Sequence, residues 1–100
     1  MGTRLELQSS LEEILGSRNV YFQPPSNISL KYPCIKYHLT DIFTNDADNI
    51  KYFKKRRYIL TLIHKDPDNE IVDKLIDFGC AFDRFYAADN LNHYVFMIYY

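Results

Sequence analysis

Tryptophan is absent from the sequence, and glycine occurs only three times in 100 residues. Such scarcity leaves no Gly-rich loop of the kind that cradles phosphates or dinucleotides. Cysteine is almost as rare. Cys34 and Cys80 stand alone with no CxxC spacing, which excludes a zinc ribbon or a dense disulfide framework. Both thiols lie in apolar-rich segments and are expected to be buried and reduced. A disulfide between them would need an oxidising compartment, of which the sequence carries no sign. No apolar run reaches the roughly 18–20 residues of a membrane span. Met1-Gly2 is not a convincing myristoylation start, because Glu6 stands where Ser or Thr is required. The expectation is a soluble protein made inside a cell, with no membrane partner. An excess of one charge is missing too: 12 basic residues face 13 acidic ones, for a net charge of −1. A chain so balanced exerts no global pull on DNA, RNA or anionic lipid, and little repulsion opposes its self-association.

Aromatic residues are what the chain has in quantity, with nine Tyr and seven Phe. They culminate in the last ten residues, Leu91 to Tyr100. One parity of that run carries Leu91, His93, Val95, Met97 and Tyr99, and the other Asn92, Tyr94, Phe96, Ile98 and Tyr100. Read as a strand of roughly 33 Å, it is apolar on both faces, whereas a half-buried strand alternates apolar with polar. Both faces therefore need cover, and 100 residues make one domain with a single core.

The elements that precede it are few. Thr3 and Glu6 fit a capping box, and Leu7, Leu11, Ile14 and Leu15 mark one helical stripe, with Gly16 as the stop. A helix over 4–15 follows, although Ser9 and Glu12 offer a second capping box and a later start near Ser10. Asn19 to Gln23 is β-prone and is halted by Pro24-Pro25, so it is an edge strand or its pairing ends there. After a polar connector over 26–33, Cys34 to Phe43 alternates as a one-sided strand, with Ile35, Tyr37 and Leu39 opposite Lys36, His38 and Thr40. Thr44 to Asn49 reads as an acidic, polar turn, and Tyr52 to Lys65 as a second long strand completing a hairpin. Asp66-Pro67-Asp68 carries a helix-start signal, followed by the stripe Ile71, Val72, Leu75 and Ile76 and a stop at Gly79. Ala81 to Tyr86 is a fourth strand, and Ala87 to Asn90 a tight connection into the last. The order α-β-β-β-α-β-β predicts a single α+β domain over 1–100, with a mixed, largely antiparallel sheet of about five strands and two helices on one face. Helices spanning only about 15–18 Å cover one sheet face, not two.

No constellation for chemistry emerges. His38, His64 and His93 are scattered, and Cys34 and His38 would lie about 13 Å apart along one strand face, too far for one metal ion. Neither cysteine has a His/Asn set and there is no Ser-centred elbow. Asp66, Asp68 and Glu70 resemble a divalent-ion cluster, but Pro67 makes helix capping the better account. Lys54-Lys55-Arg56-Arg57 is the one charge run. It is a solvated strand start whose like charges discourage wrong pairing, or else it contacts a phosphate backbone or an acidic neighbour. Asp89-Asn90-Leu91-Asn92-His93 reads either as an Asx-type turn or as a hydrogen-bonded contact between subunits.

Several strings together resemble one family. They are Leu11-Glu12-Glu13-Ile14-Leu15-Gly16, Asn19-Val20-Tyr21-Phe22-Gln23-Pro24-Pro25, Tyr32-Pro33-Cys34-Ile35-Lys36-Tyr37, Ile63-His64-Lys65-Asp66-Pro67-Asp68, Phe82-Asp83-Arg84-Phe85-Tyr86 and Asp89-Asn90-Leu91-Asn92-His93. The pattern is similar to the tail terminator, or tail completion, proteins of long-tailed phages and related prophages, and it covers nearly the whole chain. The strings are structural rather than catalytic signatures, and head–tail connectors of the neck share short strings of this kind. The resemblance implies a small α+β subunit that closes into a hexameric ring on the finished tail tube, stops its polymerisation and offers a docking face to the head completion or connector protein. It implies a place at the tail–neck junction of the virion, DNA passing through the lumen without being held, no enzymatic activity, and no cofactor or metal. By analogy, the subunit and tube contacts are sought in the long hairpin and the terminal strand: Tyr94, Phe96, Asn92, His93, Asp89 and Asn90, with Lys54, Lys55, Arg56 and Arg57 as charged contacts or lumen residues. The competing expectation is a single-stranded nucleic-acid-binding module that stacks bases on an aromatic sheet face. The RNP signature is missing from the chain, which weighs against that alternative.

Overall fold

The structure, a computed structural model, describes residues 3–25, 29–47 and 50–100, with side chains described outside 43–54. Helix α1 (Arg4–Leu15) begins where the capping box predicts: the Thr3 hydroxyl accepts from the Glu6 backbone N–H at 3.2 Å, and the Glu6 carboxylate accepts in return from the Thr3 N–H. Two of the helix's orphan donors are thereby satisfied. Gly16 closes it at φ +79°, a conformation that costs a residue with a Cβ about 1 kcal/mol or more. The Ser9/Glu12 alternative is not the start.

Strands β1 (Val20–Phe22), β2 (Cys34–Ala47), β3 (Ile50–His64), β4 (Ala81–Ala88) and β5 (Leu91–Tyr99), with helix α2 (Ile71–Phe78) between β3 and β4, complete the order α-β-β-β-α-β-β. They form one sheet in the order β1-β2-β3-β5-β4, in which only β1–β2 is parallel. The α+β class, with a mixed, mostly antiparallel sheet and two helices, is as the sequence predicts. The hairpin differs at its tip. Composition predicts a turn over Thr44 to Asn49, but the ladder runs on to Ala47 opposite Ile50, leaving only 48–49, which lie outside the described residues. So do residues 26–28 of the connector and the side chain of Lys54.

Helix α2 starts later than Asp66-Pro67-Asp68 implies. The Asp66 carboxylate accepts from the Asp68 N–H at 2.9 Å, an Asx turn, and Asn69 Oδ1 accepts from the N–H groups of Ile71 and Val72. The first acid therefore shapes a turn before the helix, and Asn69 serves the orphan donors. Strand β4 also runs two residues beyond Tyr86, so the connection to β5 shrinks to Asp89-Asn90, at φ +54° and +62°. Two successive left-handed residues make the two-residue turn that matches strand twist.

The core lies between the helices and one sheet face. Leu7, Leu11, Leu15 and Leu75 pack on Ile35, Tyr37, Tyr58, Leu60, Leu62, Tyr94, Phe96 and Ile98. One polar bridge crosses it: the Tyr37 hydroxyl donates to Gln8 Oε1 at 2.6 Å, and Gln8 Nε2 donates to the Val20 carbonyl at 2.9 Å. That bridge locks α1 to β1 and β2. The opposite face has no helix among the described residues, yet Thr61, Ile63 and Val95 are buried in its middle row.

Candidate assembly surfaces

Strand register assigns each aromatic residue to a face. Tyr94, Phe96 and Ile98 pair with Leu62, Leu60 and Tyr58 and point to the helices. Phe96 is fully buried and Tyr94 nearly so, its hydroxyl donating to the Pro67 carbonyl at 2.8 Å. Neither is available to a neighbour. As candidate interface residues they are therefore corrected: β5 lies between β3 and β4, and an interior strand directs its large residues into its own core. Burial pushes the Tyr94 phenol up, with Asp68 and Asp66 adding to the effect.

The polar string before them is also engaged within the chain. Asp89 and Asn90 form the turn, and Asn92 Nδ2 donates to the carbonyls of His64 and Lys65, each at 3.2 Å. His93 stacks on Tyr86 with centroids 4.6 Å apart. Of the basic run, Arg57 pairs with Asp41 and its Nε donates to the Thr40 hydroxyl. Lys55 is exposed and Arg56 half-buried. Beyond Thr40 and Arg57, β2 and β3 continue as a two-stranded arm that β5 does not accompany, apart from paired backbone bonds between Arg56 and Tyr100. The molecule is accordingly long, 52 × 29 × 23 Å, with a radius of gyration of 14.7 Å, against about 13 Å for a compact 100-residue domain.

Two surfaces stand out that no single residue of the sequence marks. The first is β4. Ala81 to Ala87 are largely exposed, including Phe82 at 49%, Phe85 at 50% and Tyr86 at 43%. Phe82 and Phe85 share the helix-side face with Phe96 and Tyr94, which they touch edge-on and tilted, but they stand at the outer margin of the sheet. The signal in the sequence was the pair of aromatic clusters around Asp83-Arg84, which breaks strict alternation. The structure places a bulge there, between Phe82 and Arg84.

The second is a trough on the helix-free face, with a volume of about 420 Å³. Ile59, Thr61 and Val95 form its floor, Lys36 and His38 one wall, and Arg84 and Tyr86 the other. Lys36 and Arg84 are its two cationic side chains, with the Asp83 carboxylate 4.0 Å from Arg84 Nε.

The cysteines are free and buried, and burial raises Cys34 to about 11 and Cys80 to about 12. Such thiols are protonated and unreactive at neutral pH. Among the described residues no three His, Cys, Asp or Glu side chains come together to hold a metal ion, and no helix is long and apolar enough to cross a membrane. Compared with known proteins, the chain matches no family model and no curated protein.

Proposed function

We propose that this chain is a tail terminator of a long-tailed phage or prophage, a non-enzymatic structural subunit that works without cofactor. Copies of it close into a ring, hexameric by analogy, on the finished tail tube. The ring stops tube polymerisation and presents a docking face to the head completion or connector protein, while DNA passes through the lumen. The observation that carries this reading is the two-stranded arm that β2 and β3 extend past the rest of the sheet. An isolated two-stranded ribbon is marginally stable in water, so an arm of this kind calls for a neighbour. The strings that resemble the tail terminator family add to it, as does a charge near zero, since a strongly basic lumen would hold the DNA.

Light scattering across a range of concentrations, with and without isolated tail tubes, and electron microscopy of the tubes test the proposal together. Ring-sized mass and a cap at one tube end are expected. A chain that stays monomeric throughout and leaves the tubes bare would end it.

The trough favours one other reading, a single-stranded nucleic-acid-binding module. Lys36 and Arg84 would take phosphates and the Tyr86–His93 stack would receive a base. A salt titration of oligonucleotide binding decides: no affinity at low salt removes that reading.

A further inference from the structure

We propose that the outer edge of β4 is a seat for a second copy of this chain, which adds the free edge of its own β3, residues 50–55, to the sheet. This rests on the ring reading and names its contact.

The two margins of the sheet are treated differently. At one margin β1 is three residues long and stops before Pro24-Pro25, two of the devices that blunt an edge. At the other, β4 presents eight residues with no Pro and no covering element among the described residues, guarded only by a bulge and the Asp83–Arg84 pair near its start. Its outer N–H and C=O groups form an open ladder flanked by half-exposed Phe82, Phe85 and Tyr86. Strand addition supplies main-chain hydrogen bonds to such an edge while the flanking side chains grip the added strand.

The same chain holds a complementary edge. Pairing of β3 with β5 ends at Arg57 opposite Tyr99, and the Arg56–Tyr100 backbone bonds close that ladder. Among the described residues, β3 over 50–55 is paired on the β2 side only. Six residues of free edge span about 20 Å, within the roughly 27 Å of an eight-residue β4. Charge selects this edge over the outer side of β2. The β4–β5 hairpin carries exposed Asp83, Arg84 and Asp89, with Arg84 Nε 4.0 Å from the Asp83 carboxylate. Its balance is one net negative charge, whereas the base of the β3 arm carries Lys55 and Arg56. The outer stretch of β2, residues 40–47, holds Asp41 and Asp46 and no base, so it would set acid against acid. Because seat and donor are different surfaces, each subunit gives one and accepts one. Such a head-to-tail contact forms a ring when its rotation closes.

Reciprocal charge reversal tests the seat on the full chain, with assembly read by light scattering in the presence and absence of tail tubes. Asp83→Lys alone, and Lys55→Glu with Arg56→Glu alone, should each raise the half-assembly concentration about tenfold. The three changes together should restore assembly, and the thermal midpoint of the monomer should hold throughout. In parallel, Asp83→Cys and Lys55→Cys in one chain, treated with a short bis-maleimide, should give a ladder of covalent multimers. If rings form but neither rescue nor ladder appears, or if crosslinks join position 83 only to position 83, the β4 seat is overturned and the ring reading stands. If the native chain does not assemble and the double-cysteine chain does not crosslink at any concentration, on tubes or off them, both fall.

Discussion

Phe96 and Phe85 are aromatic residues on the same sheet face, one strand apart, and they should behave as opposites. Phe96 is fully buried and Phe85 half-exposed. A buried Phe removes about 200 Å² from water, which at about 25 cal/mol per Å² is some 5 kcal/mol. Phe96→Ala should therefore destabilise the chain by about 3–5 kcal/mol, cavity included. For a domain of this size each kcal/mol is worth about 4–8 °C, so the melting midpoint should fall by at least about 12 °C. Phe85→Ala removes half that burial or less and leaves no enclosed cavity. Its cost should be about 1–2 kcal/mol, with monomer spectra unchanged and assembly weakened more than stability. Urea denaturation followed by circular dichroism, beside light scattering at matched monomer stability, separates the two effects. Were Phe85→Ala to unfold the chain as severely as Phe96→Ala, β4 would belong to the core, and the division between folding strand and assembly strand would be refuted.

Three further outcomes follow from local geometry. Gln8→Ala removes the acceptor to which the Tyr37 hydroxyl donates at 2.6 Å, while Arg4 stays beside that hydroxyl, and should cost about 0.5–1.5 kcal/mol in urea denaturation. Asn90 sits at φ +62°, so Asn90→Gly should be neutral or stabilising by a few tenths of a kcal/mol, whereas Asn90→Val should cost about 1–2 kcal/mol by thermal melt. Cys34 and Cys80 are raised from 9.0 to about 11 and about 12. As pH climbs past 9, the unfolded chain therefore loses protons that the folded chain keeps. The contribution of the two thiols to stability is whole below pH 9 and disappears as pH rises through 11–12. Between those limits each thiol costs the fold about 1.4 kcal/mol for every pH step of one. The raised phenols of Tyr37 and Tyr94 act in the same direction at higher pH. Stability measured from pH 8 to 12 should fall, and Cys80→Ala should flatten the decline.

Local chemistry made most of the fold legible. Thr3 with Glu6, Gly16, Gly79 and the alternation from Ile35 to Leu39 each specify their own conformation within a few residues. Where two local signals competed, the sequence was ambiguous: Asp66 carries a cap signal but forms a turn, and Asn69, three residues later, serves the helix. Strand order is not local at all. Nothing within Leu91–Tyr99 says that it lies between β3 and β4, yet that position decides whether Tyr94 and Phe96 are core or surface. The Asn92 and His93 contacts were likewise illegible, because their partners, His64, Lys65 and Tyr86, are set by the same order.

The surplus of apolar surface that the terminal run announces is real, but it is displaced by one strand. β5 lies between two neighbours, and the face it turns away from the helices is shielded in part by the chain's own side chains, with Val95 buried and His93 under Tyr86. What the helices fail to cover is the strand beyond it, where Phe82 and Phe85 overhang. This arrangement separates two tasks. Residues of β5 carry the stability of the subunit, so changing them costs folding. Residues of β4 contribute little to the core, so under the ring proposal changing them costs the contact. Under that proposal the edge of β4 stays open until a neighbour arrives. The same proposal gives the bulge at Asp83 a use: a kinked edge with Asp83 and Arg84 at its bend resists pairing with a flat, uncharged strand.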